Sequence, residues 1–129
     1  MKGNLPIYRL KWFMWLFKKE EKDKKLKVTD DDIVAMADGE MVDVEVVPDP
    51  TFSEQMMGKT IAFTYKQDKV TICSPANGTL AVLFPTGHAF GIVMNNGVEL
   101  LVHIGIDTVE SNGNGFKLCG VKQGKYVKA

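Results

Sequence analysis

The sequence predicts an all-β domain, an antiparallel sandwich or barrel-like sheet with short helical turns. Runs rich in β-branched and aromatic residues recur at a spacing of about 8–12 residues, with turn-forming Pro, Asn and Gly residues between them. The chain has 129 residues, enough for one domain of ordinary size. Its 45% hydrophobic and 25% charged residues are typical of a folded globular protein. This composition excludes a wholly disordered chain and a polytopic membrane protein.

The elements follow from local patterns along the chain. A strand is predicted over 41–47, where valines alternate with Asp43 and Glu45. A helical turn is predicted over 51–57, with Thr51 or Ser53 as its capping residue. The remaining predicted strands cover 60–65, 69–73, 79–84, 89–94 and 98–104, and turn signals lie at 75–78, 85–87, 95–97 and 112–115.

Charge divides the chain into two parts. Residues 1–29 hold nine basic and three acidic residues, a net charge of +6, so the remainder has a net charge of −6. We therefore predict a basic, aromatic tail and linker over 1–32 and a single domain over 33–129. The acidic body has no basic stripe, which argues against a nucleic-acid partner and fits a basic protein partner.

The apolar stretch over 7–17 is too short to cross a membrane, because a spanning helix needs about 20 apolar residues. It also resembles no signal peptide, since lysines follow it where small residues would be expected. One interpretation is an interfacial helix on anionic lipid. We prefer the others: packing on its own domain or a neighbouring chain, or an extension that precedes a true start at Met14. The expected location is the cytoplasm, with peripheral contact at the inner face of the membrane if the first interpretation holds.

Cofactor and metal chemistry find little support. Cys73 and Cys119 form no C-x-x-C pair, so we expect reduced core thiols, although a single buried disulfide stays open. There is no Rossmann or P-loop fingerprint, and no bound cofactor is expected. His88, His103 and Asp107 could supply three zinc ligands but lack the usual spacing, so no intrinsic metal is expected. A zinc ion shared with a partner at the two histidines stays open.

The only two histidines are His88 and His103. His103 lies near the end of the strand predicted over 98–104, on the face opposite its alternating apolar residues. A neutral imidazole is a competent nucleophile when a hydrogen bond orients its second nitrogen. Gly105 would let a partner backbone approach closely, or leave an amide near a phosphoryl oxygen. From spacing alone, a packing histidine satisfied by a carbonyl is the preferred interpretation.

Longer motifs change that preference. The chain contains Thr86-Gly87-His88-Ala89-Phe90 and, after it, an unbroken motif over 97–109 that includes His103. Before them stand Val47-Pro48-Asp49 with Phe52, Met57-Gly58, and Ser74-Pro75-Ala76-Asn77-Gly78-Thr79. From about residue 37 to residue 128, the chain resembles the glucose-type enzyme IIA domain of the bacterial phosphoenolpyruvate-dependent sugar phosphotransferase system.

The resemblance implies a phosphotransferase with a β-sandwich fold. His103 would accept a phosphoryl group from the phosphohistidine of HPr and pass it to a cysteine on the IIB domain of a sugar permease. His88 would donate a hydrogen bond to the phosphoryl oxygens, and Thr86 would orient His88. Partner binding is implied for Phe52, Phe84 and Leu101 in an apolar docking surface, and for Asp49 and Asp107, which would meet an arginine of HPr.

Some alternatives stay open. Phe52 and Phe84 could be ordinary core residues, and Asp49 could serve the turn around Pro48 and Pro50. The chain departs from the family at Lys59-Thr60, where Asp-Gly is usual, and it stops at Ala129, so the last strands are expected to be missing. Packing of residues 12–17 in their place is one hypothesis. A regulatory module that controls transporters or enzymes through its phosphorylation state, or a truncated inactive homologue, are the alternative functions. The sequence does not indicate which sugar is served.

Overall fold

The structure is a computed structural model that describes residues 27–129. The aromatic segment and most of the predicted linker lie outside the described residues. Membrane contact of the tail and packing of residues 12–17 therefore stay predictions. The domain boundary near residue 33 also stays a prediction. Within residues 27–129, no helix has the length and apolar character needed to cross a membrane.

Six strands in the described part form two antiparallel sheets, which confirms the all-β prediction. The smaller sheet pairs β1 with β2, and the larger has the order β5-β4-β3-β6. The described sheets do not close into a barrel. The strands are β1 (Glu40–Val42), β2 (Ala62–Thr64), β3 (Gly78–Leu83), β4 (Ala89–Met94), β5 (Glu99–His103) and β6 (Tyr126–Val127); the helical elements are α1 (Pro50–Ser53) and 3-10 helices at Val44–Val46 and Thr108–Ser111.

Strands β3, β4 and β5 form a meander with two tight turns. In the first turn the Gly87 amide donates to the Phe84 carbonyl, and in the second the Gly97 amide donates to the Met94 carbonyl. Both glycines have positive φ, 81° and 90°, which a residue with a Cβ adopts only at a cost. Turn chemistry therefore fixes the register of β3, β4 and β5, and with it the positions of His88, just before β4, and His103, at the end of β5.

The core lies under one face of the larger sheet. Four buried residues form its centre, and partly buried apolar side chains pack around them: Ala76, Leu80, Ile92 and Met94, then Leu83, Phe90, Leu100 and Val127. On β5 the alternation predicted from the sequence is confirmed. Val102 is buried, whereas Leu101 is 47% exposed on the opposite face.

Several predicted elements differ from those observed. The strand predicted over 41–47 ends at Val42, because the Asp43 side chain accepts a hydrogen bond from the Glu45 amide at 3.0 Å and starts a 3-10 turn. The helical turn begins at Pro50 and is capped by Asp49, so the prediction of a Thr51 or Ser53 cap is wrong. Strands predicted over 60–65, 79–84, 89–94 and 98–104 are confirmed as β2 to β5.

The segment 69–73 and its cysteine also differ from the prediction. No strand forms there; instead the Cys73 amide donates a hydrogen bond to the carbonyl of the distant residue Met36 at 2.9 Å. Cys73 and Cys119 are both free and exposed, so the expectation of core thiols is wrong. The reason is that Cys73 lies in an irregular segment rather than in a buried strand. Although the residue is exposed, desolvation of the thiol by the surrounding chain, and then the nearby Cys119, raise the pKa of Cys73, which disfavours the reactive thiolate.

Candidate active site

The pairing of β4 with β5 brings the two histidines together. Ala89 lies opposite His103 in the antiparallel register, and the Ile104 amide donates to the His88 carbonyl at 2.7 Å. The His88 and His103 rings contact each other edge to face, with centroids 5.3 Å apart and an interplanar angle of 78°. Two side chains fifteen positions apart in the sequence thus form one site.

His103 is held in a defined tautomer. Its Nδ1 lies 2.9 Å from the Gly105 carbonyl oxygen. A carbonyl only accepts hydrogen bonds, so Nδ1 carries the proton and the lone pair of the neutral ring lies on Nε2. Gly105 has a φ of 80°, which turns its carbonyl back toward the histidine. His103 is also partly exposed, so a partner can reach this side chain.

This contribution of Gly105 differs from the expectation drawn from the sequence. The glycine was expected to admit a partner backbone or to offer its amide. In the structure it is instead the Gly105 carbonyl that orients the His103 ring, by accepting a hydrogen bond from Nδ1. A carbonyl-satisfied histidine and a nucleophilic histidine are therefore compatible descriptions of the same residue. The usable sequence signal is the His-x-Gly spacing, since a glycine at positive φ lets the chain fold back within two residues.

His88 has a different environment from His103. It is buried, with 3% of its surface exposed, and its Nδ1 lies 2.5 Å from Thr86 Oγ1. Burial, and then the neighbouring His103, lower the pKa of His88. At neutral pH the His88 ring is thus uncharged. A buried neutral imidazole beside an accessible one is suited to support chemistry that takes place on its neighbour.

The turn that carries Thr86 packs closely against a later segment. A Cβ added to Gly87 would lie 3.1 Å from Phe116 Cβ and 3.3 Å from Leu118 Cδ2. A Cβ at Gly113 would come within 3.7 Å of the Thr86 backbone. Residues 113–118 therefore pack against the turn that carries Thr86, a contact that no local pattern predicted.

Two phenylalanines contact the histidine rings. Phe52 lies 4.9 Å from His103, centroid to centroid, at an interplanar angle of 45°. Phe84 lies 5.0 Å from His88 in an edge-to-face contact at 72°. Phe84 is 39% exposed and Phe52 partly exposed, so neither is an ordinary core residue. Together with the exposed Leu101, two residues before His103 on the same face of β5, they give the histidine pair an apolar surround.

The two predicted acidic residues have different local roles. The Asp49 side chain accepts a hydrogen bond from the Thr51 amide at 2.9 Å and caps α1, the helix that carries Phe52. The interpretation of Asp49 as a residue that shapes the local turn is thus confirmed. Asp107 is exposed, adopts a left-handed conformation with a φ of 57° and makes no side-chain capping bond. Of these two residues, Asp107 is the more exposed, and its carboxylate makes no capping hydrogen bond, so it is the more accessible to a partner.

Metal binding has no further support from the described part of the chain. Among residues 27–129, no group of three or more His, Cys, Asp or Glu side chains is arranged to hold a metal ion. A zinc ion shared with a partner through His88 and His103 stays a prediction.

The fold and the site define an antiparallel β protein with two adjacent histidines, one buried and one partly exposed. The family model of the phosphoenolpyruvate-dependent sugar phosphotransferase system, EIIA 1, matches residues 31–129, and the chain belongs to that family. It is similar to a solved structure, glucose permease IIA from Mycoplasma capricolum, with 40% identity and a TM-score of 0.69. That match covers 75% of this chain and 61% of the other, so the chain spans about three fifths of its relative's length. The glucose-type resemblance is confirmed.

Proposed function

We propose that this chain is a phosphohistidine carrier, a phosphotransferase that accepts a phosphoryl group from HPr and passes it to the IIB domain of a sugar permease. One observation carries the proposal: the accessible His103 has its Nδ1 proton bound to the Gly105 carbonyl and its ring against the buried His88. Membership of the EIIA 1 family and the similarity to a glucose permease IIA support it.

The transfer uses the lone pair of His103 Nε2. This nitrogen attacks the phosphorus of phospho-HPr; a new N–P bond forms on His103, and the electrons of the broken N–P bond return to the HPr imidazole. The Gly105 carbonyl continues to accept the hydrogen bond from Nδ1–H and stabilises the positive charge that the ring acquires. In the second transfer the thiolate of the IIB cysteine attacks the phosphorus; an S–P bond forms, and the electrons of the broken N–P bond return to His103 Nε2. No cofactor takes part in either step.

His88 and Thr86 act on the phosphoryl oxygens. When the Thr86 hydroxyl donates to His88 Nδ1, the proton of the neutral His88 ring lies on Nε2. That N–H then donates a hydrogen bond to the transferring group, where negative charge is spread over the oxygens. Because its pKa is lowered, His88 does this as a neutral ring that carries one proton, on Nε2.

Partners dock on the apolar surround of the histidines. Phe84 and Leu101 are exposed beside the pair, and Phe52 contacts His103 itself. Asp107 supplies an exposed carboxylate four residues after His103, suited to an arginine of HPr. Asp49 contributes charge at the same surface and holds α1 in place. The acidic balance of residues 30–129 fits a basic partner, and the cytoplasm is the expected place of action.

The test is intact-mass analysis of the full chain after incubation with phosphoenolpyruvate, enzyme I and HPr. We expect one acid-labile phosphoryl group on the native chain, none on His103→Gln, and one on His88→Gln, which keeps the nucleophile. His88→Gln is expected to fail in the onward transfer to a IIB domain. Circular dichroism spectra of all three proteins control for folding.

Two results would contradict the proposal. If folded native chain gains no mass, the family's chemistry does not operate here, and an inactive homologue becomes the better account. If the phosphoryl group is accepted but no IIB domain removes it, the chain is a regulatory module read through its phosphorylation state.

A further inference from the structure

The loop after β5 holds the group that orients His103. The Gly105 carbonyl accepts the Nδ1 proton of His103, so the tautomer depends on where the 105–106 peptide points. That peptide lies in a sharp reversal: Gly105 has a φ of 80° and Asp107 a φ of 57°. Asp107 is not a glycine, so its left-handed conformation costs free energy and persists only where surrounding contacts hold it.

One side chain closes this loop. The Thr108 hydroxyl donates to the Ile104 carbonyl at 2.5 Å, across the peptide that bears the oriented carbonyl. The Ile104 amide donates to the His88 carbonyl, and the Ile104 carbonyl accepts from Thr108. Both backbone polar groups of residue 104 are therefore hydrogen-bonded. Ile104 and Gly105 are buried, so loss of the Thr108 hydroxyl would leave the Ile104 carbonyl without this partner in a mostly buried segment, which costs free energy.

Thr108 is itself held in place from the C-terminal side. It opens the second 3-10 helix, Thr108–Ser111, and its carbonyl accepts a hydrogen bond from Ser111 Oγ at 2.8 Å. In the same turn the Glu110 amide donates to the Asp107 carbonyl. The helix therefore fixes the backbone of Thr108, which positions its hydroxyl to donate to the Ile104 carbonyl.

We propose that Thr108 is a positioning residue for His103: its hydroxyl closes the 104–108 loop and so holds the Gly105 carbonyl on the Nδ1 proton of the nucleophilic ring. The consequence for phosphoryl acceptance rests on the proposed function. The consequence for the tautomer does not, since it concerns only hydrogen bonds present in the free protein. Ser111 acts one step further out, through Thr108.

The test compares Thr108→Val, which keeps the shape but has no donor, with Thr108→Ser, which keeps the hydroxyl. Thr79→Val is the matched control, because Thr79 is exposed on β3. Long-range ¹H–¹⁵N spectra of the ¹⁵N-labelled full chain report which ring nitrogen carries the proton, and His88→Gln assigns the two histidines. Initial rates of phosphoryl transfer from phospho-HPr give the second readout.

We expect Thr108→Val to mix the two tautomers of His103 and to slow acceptance about tenfold, as a small misplacement of a reacting group does. Thr108→Ser should restore the native spectrum and rate, and Thr79→Val should change neither. The proposal is overturned if folded Thr108→Val keeps the native tautomer. If Thr108→Val does not fold, Ser111→Ala decides in its place: partial mixing of the tautomers supports the proposal, and a native spectrum overturns it.

The two proposals fail in different ways. A native chain with the Nδ1–H tautomer that accepts no phosphoryl group contradicts the proposed function alone, and the spectra of the variants still judge Thr108. A native chain with the proton on His103 Nε2 contradicts the role of Thr108 directly.

Discussion

The ring of Phe52 packs against the ring of His103 at a centroid distance of 4.9 Å, although the two residues come from different parts of the fold. Phe52 lies in a four-residue helix, and His103 ends a strand of the larger sheet. The contact places one wall beside the accessible histidine, while His88 provides another. A short helix with little intrinsic stability therefore has a direct effect on the site.

Replacing Phe52 should impair the site more than the fold. We expect Phe52→Leu to slow phosphoryl acceptance several-fold, because the flat ring that restricts His103 is lost. The free energy of unfolding should fall by only about 1–2 kcal/mol, since Phe52 is partly exposed. Transfer rates and urea unfolding are the measurements. Phe63→Leu, on β2 in the smaller sheet, is the matched control; equal rates for the two variants would contradict the prediction.

Substitutions should distinguish the roles of Asp49 and Asp107, because only the Asp49 side chain makes a capping hydrogen bond. Asp49→Asn keeps a capping oxygen, so we expect it to weaken HPr binding with little loss of stability. Asp49→Ala should in addition lose about 1 kcal/mol of unfolding free energy. Asp107→Asn should weaken binding alone. Calorimetric titration with HPr at two salt concentrations, with thermal melts, tests this; an Asp107→Asn protein that binds like the native chain argues against a charge role for Asp107.

Stability should depend on pH through His88. Its pKa is lowered from the ordinary value of 6.5, so below that pH the unfolded chain binds a proton that the folded chain resists. The free energy of unfolding should therefore fall as the pH drops below 6.5, and His88→Gln should flatten this decline. Urea unfolding between about pH 5 and pH 8 avoids most carboxylate titration. An identical decline in both proteins would assign the effect to other groups.

Gly87 and Gly97 form a matched pair of turn glycines. Both have positive φ, so alanine at either position should cost about 1–2 kcal/mol in backbone strain. Only at Gly87 would the added Cβ meet Phe116 and Leu118; at Gly97 it meets nothing within 4 Å. We expect Gly87→Ala to lose about 1 kcal/mol more than Gly97→Ala. Equal losses in urea unfolding would mean that residues 113–118 move aside freely.

The sequence predicted the elements whose information is local. Strands β3, β4 and β5 follow from alternation and turn glycines, and the face occupied by His103 follows from that alternation. The failures have nonlocal or competing causes. Residues 69–73 have the composition of a strand but no partner strand, and the Asp43 side chain competes with the ladder by bonding the Glu45 amide.

The site was predicted in a similar, uneven way. The pair of histidines and Thr86 came from the family resemblance, and spacing alone favoured a packing role for His103. The contact of Phe52 with His103 and the approach of Phe116 to Gly87 join residues far apart in the chain. The Gly105 carbonyl depends on a backbone angle that a sequence does not record. Geometry of this kind requires coordinates.

The pairing of Ala89 with His103 also has a consequence for strand register during folding. A slip of one residue between β4 and β5 would turn His103 toward the core and push Val102 and Ile104 into water. Such a mispaired chain would have a polar ring in the core and apolar side chains in water, and it would be less stable than the native fold. The contact between the two imidazoles and the burial of the apolar face of β5 therefore depend on the same strand register.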